Sequence, residues 1–309
     1  MEVRGAKRAF AHKETMMRFV CLLAVTGAIC ASTSMARAQA VDWQKVDDAF
    51  GRKAAVVSGD AHRYSFPRTD LNVTLDGVTI KPALALGGWV AFKDDAMVMG
   101  DVVLLEDEIN PVMTTLIENG IEITALHNHL LRANPATFYR HIGGMGDPEK
   151  MATAIRTALA QSKTPLAAPA ATTPPPIELD TAQLDQIIGV KGQANGGVYQ
   201  FGVQRRDPAT EKDAPLTPPG PLGMATGIGF QPTGGSKAAI TGDFVLTADE
   251  VNPVIKALRA NGIEITALHS HMLDERPRLF FMHFWANDDA IKLAHGLRAA
   301  LDRMANAKS

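Results

Sequence analysis

Two stretches of this chain carry residues that can do chemistry, and they are copies of one stretch. Gly120-Ile-Glu-Ile-Thr-Ala-Leu-His127-Asn-His129 recurs as Gly262-Ile-Glu-Ile-Thr-Ala-Leu-His269-Ser-His271. A third histidine follows twelve residues later in each, His141 and His283, and all three repeat at an offset of 142. Side chains alternate faces along a strand, so an H-x-H pair puts two imidazoles on one face. A neighbouring antiparallel strand can supply the third. Three imidazoles so placed hold a divalent ion and leave a position for water. The expected metal ligands are therefore His127, His129 and His141 in one set and His269, His271 and His283 in the other. With imidazole ligands and no cysteine nearby, Zn²⁺ is the expected ion, and Cu²⁺, Ni²⁺ and Fe²⁺ also suit the donors. Met272 and Met282 adjoin His271 and His283. On regular strands both would point to the opposite face, so they are not expected as ligands.

Carboxylates complete such a site when water is to be activated. Glu108 and Glu250 are the candidates, each two residues before an Asn-Pro pair and after a Gly-Asp strand, Asp101 and Asp243. The competing assignment is a helix start, which acids favour, with Thr247 and Glu250 able to form a capping box. Functional histidines without metal and hydrogen-bonded core histidines are the competing assignments for the imidazoles. Against the core assignment, 24 of 42 positions match between Gly100–His141 and Gly242–His283, and every one of the six histidines is among the matches. His62 and His295 have no twin. The copies differ after the third histidine: Gly143 and Gly144 stand in the first where Trp285 stands in the second. Two separate sites are expected, the first more open.

The elements that must hold these residues follow from local signals. Val41–Phe50 is a helix ended by Gly51, and strands follow at 62–67, 72–80, 83–92 and 96–105. Asn110-Pro111 and Asn252-Pro253 open helices, because Asn caps and Pro suits the first helical position. Asn119-Gly120 and Asn261-Gly262 end them. A strand over 121–131, a turn at Pro135 and a strand over 137–142 form a hairpin, and Asp147-Pro148 caps a closing helix. In the second copy Asn287 or Asp289 does so. Each copy closes as strand, helix, strand, strand, helix. That order implies an α+β fold of two tandem homologous repeats, each a mainly antiparallel sheet with helices on one face. A ferredoxin-like relative is one topology this permits. The first repeat is expected at 41–160, a Pro/Ala/Thr-rich linker at 161–176 and the second repeat at 177–305. The 207–223 stretch, rich in proline, is expected to be a loop.

Residues 1–38 are a signal peptide by composition: Arg4, Lys7, Arg8, Lys13 and Arg18, an apolar run from Phe19 to Ala31, then two A-x-A sites ending at Ala38 and Ala40. The run is too short to span a membrane. Export to a periplasmic or secreted location is expected. Both cysteines, Cys21 and Cys30, lie within this segment, so the mature chain has no disulfide. Ile29 before Cys30 does not suit lipidation. Removing the segment leaves 25 basic and 31 acidic residues, a net charge of −6. No basic patch suits nucleic acid.

The paired A-L-H-x-H segments, the Asn-Pro helices and Phe280-Phe-Met-His-Phe-Trp-Ala286 resemble the LppY/LpqO family of exported bacterial proteins. The resemblance covers nearly all of the mature chain. It implies a domain of unknown function, with a peptidoglycan-binding label on some members. Two functions therefore compete: a metal-binding protein, either a hydrolase or a carrier, and a non-catalytic envelope protein that binds a cell-wall glycan. Only three Tyr and three Trp are available for a glycan platform. Mass spectrometry of the exported protein is expected to show cleavage after Ala38 or Ala40. A mature form retaining Phe19–Ala31 would contradict it.

Overall fold

The structure is a computed structural model, and it describes residues 41–93, 97–168, 173, 175–205, 207–216 and 220–304. The expected signal peptide lies outside the described residues. The first repeat runs α1 (Trp43–Phe50), β1 (Ala55–Val57), β2 (Ala61–Pro67), β3 (Gly87–Lys93), β4 (Met97–Leu104), α2 (Glu106–Glu118), β5 (Glu122–His127), β6 (Phe138–Met145) and α3 (Pro148–Leu159). The second runs α4 (Thr181–Ile188), β7 (Gln193–Asn195), β8 (Val198–Gln204), β9 (Ala225–Gly234), β10 (Lys237–Leu246), α5 (Ala248–Ala260), β11 (Glu264–His269), β12 (Phe280–Asp289) and α6 (Ala290–Leu301). Each repeat forms one six-stranded antiparallel sheet. The orders are β1-β2-β3-β4-β6-β5 and β7-β8-β9-β10-β12-β11, so the two repeats share one topology. Neither is the four-stranded ferredoxin-like order.

Alternation along the strands explains the layering. On β4, Val98, Val102 and Leu104 join the core under the helices, while Met97, Met99 and Val103 face the other way. On β12, Met282 and Phe284 lie under the helices, and Phe281 and Trp285 face away. The two clusters away from the helices each mix residues of both repeats: Val103 and Tyr139 with Ala239 and Trp285, and Met97 and Met99 with Val245 and Phe281. The two sheets therefore pack face to face, with helices outside each. Burying a large aliphatic or aromatic side chain contributes about 1.5–3 kcal/mol, so these shared clusters dominate over the rim pairs. Arg132 with Glu264 (2.8 Å) and Lys212 with Glu122 (2.6 Å) are solvent-exposed, a class worth about 0–1 kcal/mol each.

Several expectations change. The Asn-Pro helices start earlier, at Glu106 and Ala248, and Pro111 and Pro253 lie inside them. The start is set by a glutamate reaching back. Glu108 Oε2 accepts from Leu105 N (2.9 Å) and Glu250 Oε2 from Thr247 N (2.8 Å), the returning half of a capping box. Gly120 and Gly262, at φ +77° and +73°, follow the helix ends as expected. Asp147 and Asp289 cap α3 and α6 through Lys150 N and Lys292 N. The 207–223 loop contains a small hairpin, Thr210–Glu211 with Ala214–Pro215. The start of the linker is held rather than free: Arg52 donates to the carbonyls of Pro165, Leu166 and Ala167. The helix α4 and strands β8 and β9 lacked clear sequence signals.

Gly242 has no room for a side chain. A Cβ there would stand 2.0 Å from Gly227 O, whereas Gly227 has nothing within 4 Å of its own Cβ position. Gly242→Ala is expected to cost at least about 2 kcal/mol in chemical denaturation, in the range of overpacked cores. Gly227→Ala is expected to stay near wild type. Equal effects from the two would contradict this packing.

Candidate metal centre

The site is built where β4, β5 and β6 meet β10, β11 and β12. Asp101 on β4 pairs with His141 on β6, and Asp243 on β10 with His283 on β12. Directly opposed residues share a face, so each aspartate stands beside a histidine. β5 carries a register shift between Ile123 and Ala125, and β11 carries one between Ile265 and Ala267. This shift changes the face. Ile123 pairs with Ile142 on the helix side, but Ala125 pairs with His141 and His127 with Tyr139. A bulge of this kind re-aims side chains. The row that begins with Ile121 as core under the helices thus ends with His127 between the sheets. Unbroken alternation, the expectation from sequence, would have left the imidazoles under the helices.

The histidines of the two repeats form one cluster, not two. His127 stacks on His269 with ring centroids 3.5 Å apart, His129 on His283 at 3.6 Å, and His141 on His271 at 3.6 Å. Exchanging every histidine for its counterpart 142 residues away turns His129/His283 into His271/His141 and leaves His127/His269 as it is, so the contact is isologous, like a two-fold dimer interface within a single chain. His129 also lies against Tyr139 and His271 against Phe281, each at 3.3 Å. Overlapping trios have ligand atoms all within 4.8 Å of one another: His127/His129/His141, His127/His269/His283, His141/His269/His271 and Asp243/His271/His283. Two of these cross the repeats. The expected first-repeat trio is among these groups and the expected second-repeat trio is not, and the two sets share one cluster rather than standing apart.

Asp101 and Asp243 are the site carboxylates, and the sequence reading gave them no role. Asp101 Oδ2 is 4.0 Å from both His129 Nε2 and His141 Nε2. Asp243 Oδ2 is 3.4 Å from His271 Nε2, and its Oδ1 is 4.0 Å from His283 Nε2. A tetrahedral ion with ligands at about 2.0–2.1 Å needs donors about 3.4 Å apart, so the Asp243–His271 spacing already suits one. The available signal was the Gly-Asp dipeptide repeated in both copies.

Glu108 and Glu250 serve elsewhere and join none of these trios. Glu108 accepts from buried Arg68 at 2.6 and 3.1 Å, from Leu105 N and from Lys163 N. Burial opposes its charge, yet Arg68 and the two N–H groups hold it below its usual carboxylate range. Glu250 pairs with Arg205 at 2.6 Å.

Burial sets the electrostatics of the centre. Burial pushes all six imidazoles toward the neutral form, His269 to about 4 and His283 to about 3. Burial also raises both aspartates well above their usual range, with Arg63 opposing at Asp101 and Asp101 adding at Asp243. His283 Nδ1 lies 2.8 Å from Gly242 O. A carbonyl only accepts, so Nδ1 carries the hydrogen and Nε2 presents its lone pair to the cluster. The Nε2 atoms of all six histidines, Nδ1 of His127 and His269, and Oδ1 of Asp101 and Asp243 are buried with no hydrogen-bond partner. Each such orphan costs about 1–3 kcal/mol, so ten of them in one place require a common partner. The donor set of imidazole and carboxylate fits a divalent first-row metal.

A family model described as Domain of Unknown Function (DUF1259) matches residues 44–161 and again 182–303. No curated protein matches the chain. Two solved structures align weakly. A trimeric bacterial microcompartment shell protein, PduB, is 15% identical with a TM-score of 0.19, over 80% of this chain and 89% of that one. EtuB from Clostridium kluyveri is 9% identical with a TM-score of 0.20, over 81% and 89%.

Because Glu108 is held as an ion-pair partner, Arg68→Met is expected to destabilise the fold by about 3–5 kcal/mol, the cost of leaving a buried charge unpaired. Metal uptake by the folded fraction should be unchanged. Equilibrium denaturation within about 0.5 kcal/mol of wild type would contradict the assignment.

Proposed function

The chain belongs to the family described as Domain of Unknown Function (DUF1259), and we propose that it is a metal-binding protein with one transition-metal centre built jointly by its two repeats. The observation that carries this is the set of ten buried, partnerless nitrogen and oxygen atoms contributed by six histidines and two aspartates. His127, His129 and His141 with Asp101 come from one repeat, and His269, His271 and His283 with Asp243 from the other. Zn²⁺ is the first ion to test, since neutral imidazoles and carboxylates suit it without redox chemistry. The paired A-L-H-x-H segments that carry the likeness to the LppY/LpqO proteins are the segments that supply four of these ligands.

The reading is binding. Glu108 and Glu250, the carboxylates expected to move a proton, are engaged by Arg68 and Arg205, so a hydrolytic role would fall to Asp101 and Asp243. Glycan binding gains little support from the aromatic residues. Trp43 stacks on His62, Arg63 covers Trp89 and Trp285 is buried.

Calorimetric titration with Zn²⁺ tests the proposal. Wild-type protein should bind the ion. His127→Ala/His129→Ala and His269→Ala/His271→Ala should each weaken all binding at least about 100-fold, because each removes ligands from a common centre. If each variant kept half the stoichiometry at wild-type affinity, the sites would be separate. If the wild type bound no divalent first-row metal, the metal reading would fail.

A further inference from the structure

The two repeats contribute matching histidines to the centre, but its two flanks differ. A cleft beside the histidines is lined by Met97, Met99, Met145 and Met272, with Gly143 and Glu211 among its other walls. Its cavity volume is small, about 30 Å³. Strand register places it. Asp101 pairs with His141, Met99 with Gly143, and Met97 with Met145, so the rows run outward from the centre on one sheet face. Met145 at the outer end is 53% exposed. Met272 comes from the other repeat, directly after His271. Thr124, another wall residue, donates to His271 O at 2.5 Å, which ties the cleft to the centre.

The equivalent positions on the other side carry different chemistry. Thr241 pairs with Trp285 where Met99 pairs with Gly143, and Ala239 pairs with Asn287 where Met97 pairs with Met145. Leu130 stands for Met272. Trp285, Ala239 and Leu130 pack together in a closed apolar cluster. Glu211 also has a twin. The bridges Thr74–Asn134 and Thr210–Arg276 are equivalent, and so the residue after Thr210 corresponds to buried Leu75. In the cleft, Glu211 Oε2 is buried without a partner. Four thioethers and a carboxylate thus stand where the other side has Ala239, Thr241, Asn287, Leu130 and Leu75, and Gly143 leaves the space that Trp285 fills there.

Thioethers are soft, neutral ligands that select monovalent copper over hard cations. Residues directly opposed across an antiparallel pair lie about 4.5–5.5 Å apart, and diagonal neighbours about 7–8 Å. Flexible methionine side chains span such gaps. From this asymmetry we propose that the cleft is a second metal site, a methionine thioether site for Cu⁺ on the flank of the histidine centre. Its placement beside that centre rests on the joint-centre reading; its ligands do not. Met272 is thereby a ligand, contrary to the strand-alternation expectation, because β11 ends at His269 and alternation stops there. Met282 stays buried under the helices as expected.

The test uses protein labelled with carbon-13 at the methionine methyls, pre-filled with Zn²⁺ and titrated with Ag⁺ as a redox-stable stand-in for Cu⁺. The methyl resonances of Met97, Met99, Met145 and Met272, assigned by single Met→Leu variants, should shift first and together. Met99→Leu/Met272→Leu should bind Ag⁺ at least about tenfold more weakly while Zn²⁺ binding is retained. If other methionines shift first, or if the double variant binds Ag⁺ as tightly as wild type, the proposal is overturned. A protein that takes Ag⁺ at these methionines but no Zn²⁺ would overturn the histidine reading and keep this one.

Discussion

The structure depends on a polar knot in an apolar layer. Two sheets meet over clusters of Met, Val, Leu, Phe and Trp, and in that layer six imidazoles and two carboxyl groups press together with their lone pairs facing inward. Buried polar atoms are normally hydrogen-bonded. Apolar residues of similar volume would pack there without penalty. The cation we propose would supply what the protein lacks: it would accept several lone pairs at once and turn buried aspartates from a liability into ligands, because an ion's charge reverses the local pKa logic.

Duplication accounts for the geometry. One repeat alone has a sheet whose inner face is apolar with three imidazoles and an aspartate upon it. Stacking a second copy about a two-fold axis buries that face and brings matching donors together. The bulges in β5 and β11 are the local device that makes this work, since they turn the end of each edge strand toward the other sheet. After duplication the copies needed to keep the shared donors but were free to diverge around them. Repeat one has Gly143 and methionines on one flank; repeat two has Trp285 on the other.

Much of this was legible in the residues. The 142-residue offset gave the two repeats, alternation gave sheets with one helix-covered face, and the H-x-H pairs with His141 and His283 gave the side chains that converge. Three features were not legible, each for a physical reason. A single-residue bulge is invisible to a period-two pattern, so alternation gives no sign that His127 and His269 leave the face of Ile121 and Ile263. Contacts between repeats are not encoded in local spacing, so two histidine sets were expected where the rings form one cluster. Glu108 and Glu250 outranked Asp101 and Asp243 because acids near a helix start resemble free acids, and only the structure shows Arg68 and Arg205 already holding them.

The central claim is that a single ion's ligands come from both repeats. Anomalous diffraction from crystals soaked in Zn²⁺ tests it most directly. The account predicts a peak between the sheets, about 2.0–2.2 Å from ring nitrogens or carboxylate oxygens contributed by both the His127–His141 segment and the His269–His283 segment. Peaks whose ligands all come from one repeat, or no peak in this layer, would contradict it.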